Sequence, residues 1–262
     1  MLIEERLEKI KTIIEENKSA TVDYLSDFLR VSKDTIRRDL IKLEQQNSIR
    51  RTHGGAILVN REALIFDYQQ RSTQFSSIKT EIAQKVAEIL KDNSSILFDS
   101  STTVEAAIRS LENKTFHGIT NSLSHAMLLA TYDKVEVTVL PGKLHKEQLF
   151  LYGTDTVKKI EQYRTDYTVL GVFAISEAGL FIHTEEEGLV KRQMIAQGNT
   201  VIALADHTKI ETTGFFKICS LAALDILITN EQPNSEFMRH LIENHVELIL
   251  TKESKERINH DN

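Results

Sequence analysis

Val31-Ser32-Lys33-Asp34-Thr35-Ile36-Arg37-Arg38-Asp39-Leu40 and, a short way on, Arg50-Arg51-Thr52-His53-Gly54-Gly55-Ala56 decide the reading of this chain. Ser32 is a favoured residue at the start of a helix, because its hydroxyl accepts a hydrogen bond from an otherwise unsatisfied backbone N–H. Ile36, Leu40 and Leu43 follow at helical spacing and predict the buried stripe of a short helix. At about 100° per residue, Asp34, Arg38 and Ile41 then point away from the stripe, with Thr35 and Arg37 on its flanks. Asn47 is a suitable left-handed stop. Residues 49–52 and 56–59 predict a hairpin closed by His53-Gly54-Gly55.

Upstream, Ile3, Leu7, Ile10 and Ile14 recur as an amphipathic helix over residues 2–16. Thr21 is placed to cap a second helix with Val22, Leu25 and Leu29 on its inner face. Helix, helix, capped helix and basic hairpin together look like a winged helix-turn-helix. A major groove admits such a capped helix, its N-terminal residues nearest the base edges. Ser32, Lys33, Thr35 and Arg38 are therefore the candidate base readers. Arg37, Arg50 and Arg51 are placed for phosphates, which position a protein without specifying sequence. Gly54 and Gly55 suit either a turn with positive φ or close approach to a DNA backbone. His53 reads as a turn residue or phosphate contact. The bland alternative is a solvated helix face with ordinary surface arginines.

Charge supports a local interface. The 262-residue chain has net charge −6. Residues 30–55 nevertheless hold seven basic side chains (Arg30, Lys33, Arg37, Arg38, Lys42, Arg50, Arg51) against Asp34, Asp39 and Glu44, a net of +4. A basic patch on an acidic protein confines phosphate contact to one surface.

Residues 60–78 lose regularity and read as a linker between a domain at 1–59 and a second at 79–251, with a tail at 252–262. From residue 79 strands and helices alternate. Helices are expected at 79–91, 104–111, 124–130, 187–197 and 235–245, and strands at 96–98, 118–120, 135–140, 167–172, 201–205, 226–229 and 248–250. Alternation of this kind predicts an α/β domain with a mainly parallel sheet covered on both faces.

Ligands of open parallel sheets sit outside the carboxyl ends of the strands. Asp99-Ser100-Ser101-Thr102-Thr103 follows one strand and opens a helix, so it reads either as an anion site or as plain helix capping. Asn121 and Ser122 end a second strand. Gly142 and Lys143 follow a third, where an ordinary turn is the alternative. Asp206-His207-Thr208-Lys209 follows a fourth, and its carboxylate and ammonium either grip a ligand or pair with each other. Glu185, Glu186 and Glu187 with Lys191 and Arg192 read as a solvated helix start.

Cys219 is the chain's single cysteine, which excludes an internal disulfide and suits a reducing compartment. No apolar run approaches a membrane span and no secretory leader is visible, so a cytoplasmic protein without membrane partners is expected. Nine histidines lie outside HxH or HxxxH spacing, so no metal site and no cofactor are expected.

The V-S-x-x-T-I-R-R-D-L helix and R-x-H-G-G-A wing closely resemble the N-terminal domain of the DeoR family of bacterial transcriptional regulators. Residues 79–251 resemble that family's sensor domain, which is similar in fold to ribose-5-phosphate isomerase. The family's D-S-G-T-T corresponds to Asp99–Thr103, its T-N-S to Thr120–Ser122, its G-G to Gly142 and Lys143, and its D-x-S/T-K to Asp206–Lys209. Ser101 stands where glycine is usual, and Lys143 replaces a second glycine. The resemblance implies a repressor of a sugar-metabolism operon that binds double-stranded operator DNA as a homodimer or homotetramer. Asp99, Ser100, Ser101, Thr102, Thr103, Asn121, Ser122, Gly142, Lys143, Asp206 and Lys209 would then take a phosphorylated sugar as effector. The alternative is a sugar-phosphate isomerase or deaminase with an appended DNA-binding module. Its only visible candidates, Asp99, Asp206, Glu186 and Lys209, form no recognisable catalytic signature, so the chain is not expected to be an enzyme.

Overall fold

A computed structural model describes residues 3–17, 19–45, 49–52, 54–58 and 76–252. The expected stop at Asn47, the wing-tip His53, most of the expected linker and the tail beyond residue 252 lie outside the described residues. The chain divides into two compact units, 1–66 and 67–262.

In the first unit, α1 (Ile3–Asn17), β1 (Ser19–Thr21), α2 (Val22–Leu29), α3 (Lys33–Gln45), β2 (Ile49–Thr52) and β3 (Gly55–Leu58) follow one another. Ile10, Ile14, Leu25, Ile36, Leu40 and Leu43 from the three helices close one core, and Leu7 and Leu29 pack at its margin. Thr21 caps α2, its Oγ1 accepting from Tyr24 N at 3.1 Å. Arg30 ends α2 in the left-handed region at φ 54°. Ser32 Oγ accepts from Thr35 N at 3.2 Å and starts α3.

The hairpin is part of a three-stranded antiparallel sheet in the order β1-β3-β2. Strand β1 is absent from the expectations because Ser19-Ala20-Thr21 has no period of its own. Pairing with Gly55, Ala56 and Ile57, distant in sequence, makes it a strand.

In the second unit, α4 (Ser76–Ile89) begins inside the expected linker. It is followed by β4 (Ser94–Phe98), α5 (Thr102–Arg109), β5 (Phe116–Thr120), α6 (Leu123–Leu129), β6 (Val135–Val139), β7 (Lys143–His145), β8 (Phe150–Tyr152), α7 (Thr154–Ile160) and β9 (Thr165–Gly171). Then come β10 (Ala174–Ser176), β11 (Gly179–Ile182), α8 (Glu185–Gln197), β12 (Gly198–Leu204), β13 (Phe216–Cys219), β14 (Ile226–Thr229), α9 (Ser235–Glu243) and β15 (Glu247–Leu250). Seven strands form one sheet in the order β15-β14-β12-β9-β4-β5-β6, every pair parallel.

Alternate residues serve opposite faces. Ile96 and Phe98 of β4 pack with Ile82 and Val86 of α4 and Val104 and Ile108 of α5. Leu97 between them packs with Ile160 of α7 and Val190 and Met194 of α8. Both faces are covered, as the unbroken apolar strands require.

The β7–β8 hairpin, helix α7 and the small antiparallel sheet β10-β11-β13 have no counterpart among the sequence expectations. Their strands are three or four residues long and owe their form to pairing rather than to a local pattern.

Candidate functional site

In the first unit, α3 carries Lys33, Arg37, Arg38 and Lys42 on its exposed surface, opposite the stripe of Ile36, Leu40 and Leu43. Lys33 Nζ pairs with Asp23 Oδ1 of α2 at 2.9 Å, and Arg37 Nη1 with Asp34 Oδ1 at 2.8 Å. Arg38 is exposed and has no ion-pair partner among the described residues. Ser32 and Thr35 are bound to each other, Oγ to Oγ1 at 2.9 Å, in addition to the cap.

Asp39 points the other way. Its carboxylate is buried and receives both Arg6 Nε at 2.6 Å and Arg6 Nη2 at 3.2 Å from α1. This two-pronged contact fixes the rotation of α3 about its axis, and the Asp39 carboxylate holds the guanidinium pKa above its ordinary value. Sequence reading passed over it. The available signal was an aspartate next to Leu40 on the inner side of an otherwise basic helix.

Arg50 and Arg51 lie on β2, with side chains outside the described set. The two wing glycines differ. A Cβ on Gly54 meets nothing within 4 Å, whereas one on Gly55 falls 2.2 Å from Ala20 O. Neither has the positive φ of a primed turn. Gly55 is glycine because β1 passes against it.

In the second unit, all seven strands of the main sheet run the same way, so their carboxyl ends share one edge. Asp99, Asn121, Pro141-Gly142, Val172-Phe173, Asp206 and Asn230 follow six of them there. Asp99 is 1% exposed. Its Oδ1 accepts from Ser101 N and its Oδ2 from Gly171 N, both at 2.9 Å.

The cation facing Asp99 is Lys191 of α8, buried and hydrogen-bonded to Asp99 Oδ2, with a further bond to Gly171 O at 3.0 Å. Glu187 Oε1 lies 3.7 Å from the same ammonium. Glu185 and Glu186 are exposed in the first turn of α8, as a solvated helix start requires, and the correction falls on Lys191, which is buried. Lys191 shares the inner face of α8 with Gly188, Met194 and Ile195. Arg192 is also engaged, donating to Ile218 O and Lys217 O at 2.9 and 2.6 Å and lying over Phe216.

Lys79 of α4 repeats the theme. It is buried beside Ile82, Ala83 and Val86, and its Nζ donates to Thr102 Oγ1 at 3.0 Å. A lysine lying within an apolar stripe was the legible signal for both residues.

Ser101 caps α5, its Oγ accepting from Val104 N at 3.3 Å. Gly171 makes room for it, since a Cβ there would stand 2.1 Å from Ser101 Oγ. Ser100 is buried and Thr103 half-buried. Beside this loop sits His125 of α6, fully enclosed, its ring facing the backbone of Asp99 and Ser101 with neither nitrogen in good hydrogen-bond geometry. Burial lowers its pKa to about 4, and the nearby Asp99 charge and the backbone acceptors of Asp99 and Ser101 offset only part of that. Ser122 caps α6 through His125 N at 3.2 Å. Asn121 donates to Leu151 O at 2.9 Å, while its Oδ1 is buried without a partner. Gly142, at φ 149°, lies where a Cβ would strike Thr156 Oγ1 at 2.2 Å. Lys143 is exposed on β7.

Asp206 and Lys209 do not pair with each other. Asp206 Oδ1 accepts from Thr208 N at 2.9 Å and from the Thr208 hydroxyl. Lys209 Nζ lies 5.9 Å above the Phe173 ring, which itself packs on His183. The structure thus joins Asp99–Thr103 to His125, Gly171 and Lys191, and Asn121 to the β7–β8 hairpin. Lys209 is connected to the end of β9 through Phe173.

The His125 value sets a pH dependence. In the unfolded chain the imidazole takes a proton near 6.5, and in the fold only near 4. Between those values the unfolded form alone binds the proton, so stability is complete above pH 6.5 and falls as pH drops towards 4. The loss attributable to His125 is about 3 kcal/mol. Unfolding free energies measured across this window should show that slope in the parent chain, and His125→Leu should make it markedly shallower, leaving the smaller share of His183, whose pKa burial also lowers.

Residues 6–62 match the DeoR-like helix-turn-helix domain, and residues 74–231 match the DeoR C-terminal sensor domain. This chain belongs to the DeoR family. Among its relatives is the HTH-type transcriptional repressor GlcR of Bacillus subtilis, 41% identical over 97% of this chain and 99% of that protein. The glycerol-3-phosphate regulon repressor of Haemophilus influenzae is 32% identical over 94% of this chain and 96% of its own length. Among solved structures, ribose 5-phosphate isomerase A of Methanocaldococcus jannaschii is 20% identical, covering 52% of this chain and 54% of its own, with a TM-score of 0.38. The first unit is accordingly the DNA-binding module of a DeoR-family transcription regulator and the second its sensor. None of the described helices is long and apolar enough to cross a membrane.

Proposed function

We propose that the chain represses a sugar-metabolism operon in the cytoplasm, and that a phosphorylated sugar bound at the carboxyl edge of the parallel sheet relieves the repression. The observation that carries this reading is the Asp99–Thr103 loop at the start of α5. Backbone N–H groups at a helix N-terminus favour an anion, and the buried Asn121 Oδ1, without a partner at the end of β5, and the enclosed His125 of α6 lie next to it. Ser100, Ser101, Thr102 and Thr103 supply hydroxyls there, and Ser122, Gly142, Lys143, Asp206 and Lys209 belong to the same edge. The names of the relatives, repressors in both cases and in one case of a glycerol-3-phosphate regulon, support the same reading.

On the DNA side, Lys33, Arg38 and the wing contact a duplex, as a homodimer or homotetramer whose symmetry matches paired half-sites. The effector acts only if it binds the DNA-free and DNA-bound forms unequally. No resident cofactor enters this scheme.

The test pairs two measurements on the full chain. A panel of hexose, pentose and triose phosphates is screened by thermal shift. A hit at about 100 times its Kd should add about 2.7 kcal/mol of stability. The same compound should then release a duplex selected by the protein from a random library. A panel without a hit, or a hit that leaves DNA affinity unchanged, refutes the effector reading. Turnover of a pentose or hexose phosphate, abolished by Asp206→Asn, would replace it with an enzyme.

A further inference from the structure

Asp34 is the second residue of α3, with its side chain 76% exposed and bonded to Arg37. It lies on the same outward side of the helix as Arg38 and Ile41, both exposed. Asp39, the other aspartate of α3, is buried and taken by Arg6. Asp34 therefore has no part in the core, and an exposed pair such as Asp34–Arg37 contributes little to stability. What it does is place a carboxylate among the cations of the helix expected to enter the major groove.

There a carboxylate is selective. The groove edge of guanine offers acceptors only, and the floor as a whole is rich in them. Cytosine N4 is the donor that suits an acidic side chain. Residues at the N-terminus of a recognition helix lie nearest those edges. A carboxylate in that position is accepted best by cytosine N4, less well by adenine, whose N6 donor sits beside the N7 acceptor, and is repelled by guanine or thymine acceptors. It also keeps Arg37 occupied until a better partner replaces it. On arbitrary DNA the same carboxylate opposes the phosphates that would otherwise bind indiscriminately.

We propose that Asp34 is a specificity-determining residue of DNA recognition. It admits sites that present a base amino group, cytosine N4 above all, to the start of α3 and disfavours guanine and thymine there. The proposal rests on the reading of α3 as the DNA-facing helix.

The experiment uses the full-length chain, a duplex it selects from a random library, and a random-sequence duplex of equal length. Asp34→Asn is expected to bind the random duplex about three- to tenfold more tightly, with a log–log salt slope steeper by about one. The ratio of selected to random affinity should fall about tenfold, and a repeated selection should lose its base preference at one position of each half-site. Asp27→Asn removes the same charge from the exposed side of α2, off α3, so it should raise both affinities slightly and leave the ratio unchanged. An Asp34→Asn chain with the parent ratio and preference overturns the proposal, as does an Asp27→Asn chain that relaxes preference equally. Failure of the underlying DNA-facing reading shows separately, as Arg38→Ala leaving both affinities intact.

Discussion

Lys191→Met is expected to destabilise the sensor unit by about 3–5 kcal/mol, because it strands the buried Asp99 carboxylate without a counter-charge. The magnitude follows from enclosure: the two side chains are 4% and 1% exposed, so water cannot take over from the ammonium. Asp99 would keep its bonds from Ser101 N and Gly171 N, which are dipoles rather than a full positive charge. For a unit of this size the thermal midpoint should drop by about 10 °C. The double variant Asp99→Asn/Lys191→Met should recover most of the loss, since replacing a buried pair with neutral groups is often close to neutral. A single variant that melts with the parent chain would show that water reaches Asp99 and that the pair is not enclosed. The effector reading adds a second expectation. The double variant regains stability yet responds poorly to ligand, because an amide has one acceptor oxygen and cannot hold both Ser101 N and Gly171 N as the Asp99 carboxylate does.

Gly55→Val is expected to disrupt the DNA-binding unit, and Gly54→Ala to leave it folded. In the register of the small sheet Gly55 stands opposite Thr21, and its missing Cβ is the space occupied by the β1 backbone, 2.2 Å from Ala20 O and 2.8 Å from Thr21 Cα. Backbone cannot rotate aside as a side chain can, so β1 must separate from β3. Thr21 is also the cap of α2, and the damage therefore passes to the helix preceding α3. Overpacking of this severity costs about 3 kcal/mol or more, in a unit whose small size leaves little reserve. Amide exchange of α1 to α3 should quicken about a hundredfold and DNA affinity should fall with it. Gly54→Ala should exchange like the parent, so any change in its DNA affinity reports on contact at the wing tip. Equal protection in both variants would mean that β1 can move off the hairpin without cost.

Legibility varied with the range of the interactions. The helices of the first unit, their stripes and the caps at Thr21 and Ser32 could be read from spacing, because a cap reaches three residues and a stripe repeats every three or four. The same holds for the seven parallel strands, each an apolar run with helices between. The carboxyl-edge loops could be placed in order, since parallel strands fed by crossover helices bring their ends to one side. Strand β1, the β7–β8 hairpin and the β10-β11-β13 sheet could not be read, because three or four residues carry no period and become strands only when a distant segment supplies hydrogen-bonding partners.

The site divides along the same line. The amino-acid sequence by itself determined the kind of protein: a capped basic helix and glycine wing ahead of an alternating α/β chain, with acids, amides and hydroxyls at the strand ends. Tertiary structure alone decided which groups meet and which are spoken for. It brought Lys191 to Asp99 across 92 residues and Arg6 to Asp39 across 33. It also enclosed His125 beside the Asp99 loop and separated Gly55, which packing requires, from Gly54, which it does not. The physical reason is that residue type and spacing set what a side chain is able to do. Burial and the charge placed opposite it are set by chain segments far away, and these determine whether a lysine is a solvated surface cation or the counter-ion of a buried acid.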